Sequence, residues 1–317
     1  MPTNDNNVSV KVIDTKPISS NKPVRTWYLG ENVVEVVSQD FKSDALKKYR
    51  KISKEHYVDL SCGEILNYKI NQNRSQNINS MRKTIHSIRR VINANFSGGE
   101  NELFITLTYK DNMQDTKKLY NDFKRFWVNF KKKFGSKYTG LEYINVIEPQ
   151  ERGAWHCHVL VKCDVGQVLY IPNDDIFDCW SRKGWTKTKR INGIDNIGAY
   201  LSAYLTDIEI NNDNMNDIIS ILGTHTDVVT KEINEGGNKV SKRFVKGGRL
   251  KFYGSMTNII RCSRGIIKPQ SVDEFYSDVK KIVGSRTPNY SKSIAILNAD
   301  SELLNSITYE NYNLKRD

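Results

Sequence analysis

Two of the chain's five histidines, His156 and His158, stand a single residue apart in the run GAWHCHVLV. The run is apolar and β-rich, so it reads as a strand, and alternate side chains of a strand share one face. His156 and His158 therefore project together, while Cys157 and Val159 project from the other side. Two imidazoles on one face can grip a metal ion, although the same spacing also serves a pair that only hydrogen-bonds on a polar sheet face. An ion that acts on phosphate oxygens prefers a hard carboxylate beside the imidazoles. Glu148 ends the preceding strand-like run, YINVIE. If YINVIE and HCHVLVKC pair through the turn PQERGAW, the end of the first strand lies across from the start of the second, bringing Glu148 within reach of the ion. Glu151 sits nearer the turn tip.

The next candidates lie in GAYLSAYLTD, where Tyr200 and Tyr204 are spaced i, i+4. On a helix that spacing stacks them on one face, with Cα atoms roughly 6 Å apart, so both phenols can address one point. Aromatic residues at helical spacing also build cores, and the spacing alone leaves both readings open.

Around these residues the elements fall into an order. A basic segment, KSDALKKYRKISKEHY, precedes a predicted helix through NSMRKTIHSIRRVINANF, and Ser97-Gly98-Gly99 punctuates. LFITLTY predicts a buried strand. Leu119, Phe123, Phe126, Trp127, Phe130 and Phe134 then recur at helical spacing until Gly135. After the two strands of the hairpin come a helix in DDIFDCWSRKG, a short strand TKTKRI and a helix from Asn196 to about Asp207. The order β-α-β-β-α-β-α predicts an α+β fold with a ferredoxin/RRM-like antiparallel sheet and helices on one face. The expected organisation is a polar arm over 1–40, a basic helical segment over 41–98, a catalytic domain over 99–210 and an accessory region over 211–317. That last region opens on a linker-like NNDNMND and closes on a polar, loose stretch from about 290.

Net charge narrows the partners. A formal +12 favours polyphosphate through counterion release, which points to nucleic acid ahead of acidic membranes. From Lys239 to Lys268 every charged side chain is basic: Lys239, Lys242, Arg243, Lys246, Arg249, Lys251, Arg261, Arg264 and Lys268. Phe244, Phe252 and Tyr253 interleave them and could stack on bases, so this segment is the expected DNA grip; a solvated basic face is the alternative. No stretch is apolar for long enough to predict a membrane span. The polar, acid-bearing N-terminal run MPTNDNNVSVKVIDTKP does not read as a secretory signal, so a cytoplasmic protein is expected. Five scattered cysteines without a C-x-x-C pair read as free thiols.

Taken together, FITLTY, Glu148 ahead of the His156/His158 pair, and YLSAYLTD resemble the HUH endonuclease superfamily, in particular rolling-circle replication initiators of plasmids and single-stranded DNA phages. The resemblance covers roughly 102–207, with a fainter likeness at IIRCSRGIIKP. It implies a Mg²⁺ or Mn²⁺ ion held by His156, His158 and Glu148, and Tyr200 or Tyr204 as the nucleophile that nicks single-stranded or supercoiled origin DNA. The nick leaves a 5′-phosphotyrosine and a free 3′ end. Many relatives carry a lysine three residues after the tyrosine, where this chain has Ala203 and Asp207. A G-x-x-x-x-G-K-[ST] run does not occur, which implies a host helicase alongside a host polymerase. Conjugative relaxases usually place the tyrosine before the histidines, so the order here favours the replication type over a relaxase or transposase. Outside the superfamily, a two-histidine, one-carboxylate Fe(II) oxygenase accounts for neither the charge nor the tyrosines. A ferredoxin-like nucleic-acid-binding module without chemistry remains the main alternative.

Overall fold

A computed structural model of the chain describes residues 9–40, 49–53, 56–59, 63–67, 78–150, 152–194, 196–210, 228–235, 238–245, 247–253, 257–297 and 301–316. The first elements are β1 (Ser9–Ile13), β2 (Pro23–Leu29), β3 (Val33–Gln39), β4 (Tyr49–Lys51), β5 (His56–Asp59) and β6 (Ile65–Asn67). There follow α1 (Ile78–Asn93), β7 (Glu102–Leu107), α2 (Thr116–Phe134), β8 (Glu142–Pro149), β9 (Trp155–Lys162), α3 (Asn173–Cys179), β10 (Thr186–Lys189) and α4 (Ile197–Thr206). The remainder holds β11 (Ile208–Ile210), β12 (Val228–Glu235), β13 (Asn238–Val245), β14 (Ile260–Cys262), β15 (Val272–Phe275), α5 (Tyr276–Val283), β16 (Tyr290–Leu297) and β17 (Leu303–Asn313). Two compact units result, one from 1–71 with 269–317 and the other from 72–268.

The second unit is built on a five-stranded antiparallel sheet in the order β10-β7-β9-β8-β14. Its central strands bury apolar side chains on both faces. Phe104, Ile144, Val146 and Leu160 are buried on one side, and Leu103, Ile105, Val159 and Val161 on the other. A sheet of this kind must be covered twice. On the second side α2 buries Leu119, Phe123, Phe126, Phe130 and Phe134, with the rings of Phe123 and Trp127 5.0 and 4.6 Å from Tyr143. Asp115 caps the start of α2, accepting from the Lys117 and Lys118 amides at 2.8 and 3.2 Å. Trp180, just after α3, packs edge-on to Phe126 and Tyr109 on that side. The first side is met by α4, which docks on α1. Helices thus lie on both faces of the sheet, not on one, because each face carries apolar side chains that must be buried.

The contact between α1 and α4 depends on a glycine. A Cβ on Gly198 would stand 2.7 Å from the Arg89 carbonyl oxygen and 2.8 Å from Asn93 Oδ1. In its absence the Gly198 amide donates to Asn93 Oδ1 at 2.8 Å, and Asn93 Nδ2 donates to Asn196 Oδ1 at 3.1 Å. The tyrosine helix is therefore clamped at its start. A small sheet, β11-β13-β12, completes the described strands of this unit.

The first unit differs from what composition predicts. The expected polar arm forms β1, β2 and β3, and the expected loose tail forms β16 and β17, all in one six-stranded sheet ordered β1-β16-β17-β3-β2-β15. Val24, Val34 and Val36 pack there with Tyr276, Val279 and Val283 of α5 and with Tyr312. In the expected basic helical stretch over 41–98 the described residues before Ile78 form short strands β4, β5 and β6, and the helix expected through NSMRKTIHSIRRVINANF is present as α1. The linker-like 211–217 run lies outside the described residues.

Candidate active site

Strands β8 and β9 pair as a hairpin in which Glu148 is directly opposite His156 and Val146 directly opposite His158. Directly opposed residues share a face, so Glu148, His156 and His158 stand on one side of the sheet. His158 and Glu148 are buried, at 5% and 6% exposure, and His156 is half-buried. One Glu148 oxygen meets His158 Nε2. The other accepts an ion pair from Arg249 Nη1 at 2.7 Å. Phe104 of β7 lies parallel to the His158 ring, with centroids 5.6 Å apart and planes 9° from parallel, and so fixes its orientation.

The electrostatics follow from that packing. Burial would raise the Glu148 carboxyl, but its contacts with His158 and then Arg249 outweigh it and hold the group below its usual range. Burial drives the His156 imidazolium down to about 4, against the opposing pull of Glu148. At neutral pH the pocket therefore offers an ionised carboxylate and a neutral His156 imidazole, the protonation states that metal ligation requires. Among the described residues no three His, Cys, Asp or Glu side chains are arranged as a ready cage; the Glu148 carboxylate is engaged by His158 and Arg249. The donor chemistry fits a divalent ion, and one side-chain contact would have to open to admit it.

The low His156 value has a consequence for stability. The unfolded chain takes up this proton near pH 6.5 and the folded chain only near 4, so His156 favours folding above 6.5 and that contribution is lost as pH falls toward 4. The slope is at most about 1.4 kcal/mol per pH unit. Urea unfolding of the wild type across this window should show the loss, and His156→Phe should flatten it; equal slopes would show that His156 carries no such shift.

Arg249 is the site residue that sequence reasoning misplaced. Besides Glu148, its Nη1 donates to the Pro149 carbonyl at 3.0 Å and its Nε to the Asp207 carbonyl at 3.3 Å. It thereby ties the end of β8 to the C-terminal end of α4. Asp207 Oδ1 accepts from the Gly247 amide at 3.2 Å and holds the arginine's loop in place. The Arg249 guanidinium, from a distant loop, thus brings positive charge to the C-terminal end of α4. Tyr253 adds a second tie, its hydroxyl 3.0 Å from the Ile147 carbonyl and 3.4 Å from that of Leu205. Tyr253 is fully buried. It is a core bolt and not a base-stacking surface.

Helix α4 is capped by Asn196, whose side chain accepts from the Ala199 amide. Tyr200 lies in its second turn, and Lys189 Nζ donates to the Tyr200 hydroxyl at 3.0 Å. Lys189 pairs with Phe104, and Phe104 stacks on His158, so Lys189 and Tyr200 belong to the histidine face of the sheet. Tyr204 is on the same helix, with its side chain outside the described residues; Glu151 is outside them altogether.

The basic segment is dispersed. Lys242 pairs with Glu209 at 3.0 Å, Arg249 with Glu148, and the Arg261 guanidinium sits 3.5 Å above the Tyr120 ring. Their charges are thus partly engaged within the protein, contrary to the picture of an unopposed strip. Arg243, Arg264 and Lys268 are exposed. Phe252 packs against the cluster of Ile208, Ile210 and Val245. Lys246 and the side chains of Lys239 and Lys251 lie outside the described residues.

Residues 102–209 match the family model described as replication-associated protein ORF2/G2P. The match takes in the sheet strands β7 to β10, the hairpin with Glu148, His156 and His158, and the whole of α4. The segment is thus similar to replication-associated proteins, consistent with a rolling-circle replication initiator of the phage or plasmid type. No curated protein matches the chain.

Proposed function

We propose that this replication-associated protein starts rolling-circle replication by nicking one strand of origin DNA through a tyrosine. The observation that carries the reading is one arrangement: within the matched segment Glu148, His156 and His158 share a sheet face with the tyrosine helix α4, and Arg249, from outside that segment, ties the helix to the same hairpin. A hairpin of this kind beside a tyrosine-bearing helix suits an HUH nuclease. The hydroxyl of Tyr200 or Tyr204 attacks the phosphorus; the phenolic O–P bond forms, the P–O3′ bond breaks, and the departing 3′ oxygen ends protonated as the phenol's proton is lost. The products are a 5′-phosphotyrosine and a free 3′-hydroxyl that can prime a host polymerase behind a host helicase. Because the tyrosyl ester keeps the phosphodiester linkage, the step is reversible and the strand can be rejoined.

An Mg²⁺ or Mn²⁺ ion held by His156, His158 and Glu148 would withdraw charge from the non-bridging oxygens. The chain's own residues supply the positioning. Burial keeps His156 neutral and able to ligate, Arg249 keeps Glu148 ionised and oriented, and Lys189 holds the Tyr200 hydroxyl. The test is a denaturing gel with end-labelled single-stranded origin oligonucleotides and Mg²⁺ or Mn²⁺. A covalent adduct at the 5′ side of the nick is expected. Binding with no adduct under any divalent ion would reduce the protein to a nucleic-acid-binding module.

A further inference from the structure

We propose that the edge strand β10 carries a base-stacking subsite for single-stranded DNA, with the Trp185 indole as the platform and Lys187 as its phosphate contact. This rests on the reading of the domain as one that acts on a DNA strand. Trp155 and Trp180 are buried, at 6% and 0% exposure, whereas Trp185 stands 60% exposed. Its backbone is held rigidly all the same. The Trp185 carbonyl accepts from the Thr108 amide at 3.0 Å and from the Thr108 hydroxyl at 2.7 Å. A Cβ on the preceding Gly184 would come within 2.4 Å of the Thr108 carbonyl, so the chain passes tight against β7 and the indole is left projecting. An exposed aromatic ring on a fixed backbone is a ready surface for a flat partner.

Register places this ring beside the candidate active site. Lys187 is directly opposite Thr106, and Thr106 is directly opposite His158. Lys187 and His158 therefore share a face two strand spacings apart, about 10 Å. Lys187 Nζ lies 6.0 Å from the Trp185 ring centroid, which puts the indole on that side as well. Lys189, two residues along, reaches Tyr200. From 186 to 190 the sequence is TKTKR, with three cations and no acid. Cations in line with an exposed indole complement a strand that alternates phosphates with bases. The nucleotides it would hold are those immediately next to the phosphate at the histidines, so the subsite would set how the strand is presented for attack.

The test uses the full chain in EDTA, so that binding is read without cleavage. Affinities are measured by anisotropy for a short deoxythymidine oligonucleotide and for an abasic oligonucleotide of the same length. Wild type should prefer the thymidine strand; Trp185→Ala should cut that preference roughly tenfold while keeping affinity for the abasic strand, and Trp185→Phe should retain most of it. Lys187→Met should weaken both strands equally and lower the salt slope by about one. If Trp185→Ala leaves the thymidine-to-abasic ratio unchanged, whatever its absolute affinities, the subsite is overturned. Failure of the nicking reading would appear instead as a missing adduct with this ratio intact.

Discussion

His158→Ala should reduce adduct formation by at least about 100-fold while leaving affinity for single-stranded DNA within a small factor of wild type. The magnitude follows from what the side chain touches. His158 is buried against Phe104, contacts Glu148 and shares its face with His156, so its loss would remove one proposed ligand and free the carboxylate that Arg249 must then hold alone. Affinity should survive because phosphate contacts spread over a basic surface dominate it. The change also has a structural cost. Leaving buried Glu148 short of one partner costs about 1–3 kcal/mol, which a folded domain can bear. His158→Gln provides the control, since it keeps a hydrogen-bonding group of similar reach; it should restore most of the lost stability but not the nicking. Wild-type nicking by His158→Ala would remove the histidine pair from the chemistry. Glu148→Gln should be milder and change which of Mg²⁺ and Mn²⁺ supports cleavage.

The second unit was legible where apolar periodicity was unbroken. Every α2 residue expected inside from its spacing is buried except Trp127, which is partly buried against Tyr143. The hairpin placed Glu148 opposite His156 because the two strands pair in unbroken register up to a short turn. Two kinds of feature escaped. Sheet strands of the first unit bury polar residues that satisfy one another, such as Ser293 with Thr308 at 2.7 Å and Glu310 with the hydroxyls of Tyr276 and Tyr312 at 2.9 and 2.7 Å. In a sequence such residues look solvated. Their strands also find partners far along the chain, β3 pairing with β17, so no local turn announces the pairing. Arg249 escaped for a related reason: a cation in a basic run reads as DNA grip, and only the fold brings it to a carboxylate in another strand.

Tyr200→Phe and Tyr204→Phe should each leave adduct formation measurable, and the double variant should abolish it. The two positions are one helical turn apart on α4, and in the proposed mechanism a second tyrosine would permit nicking and rejoining in alternation. Tyr200 has the Lys189 ammonium at its hydroxyl and lies near the capped start of the helix, where the dipole favours negative charge. Lys189→Met should therefore act through Tyr200. In a Tyr204→Phe background, where Tyr200 alone remains, losing the ammonium should slow adduct formation by about 100-fold, the scale for removing one preorganised donor. In a Tyr200→Phe background the same change should matter little. Mapping the linked peptide by mass spectrometry after digestion identifies the tyrosine used in each variant. Should one single Phe variant lose all cleavage, that tyrosine is the sole nucleophile and its neighbour packs or positions the strand. An adduct surviving the double change would place the nucleophile elsewhere and leave α4 a purely structural helix.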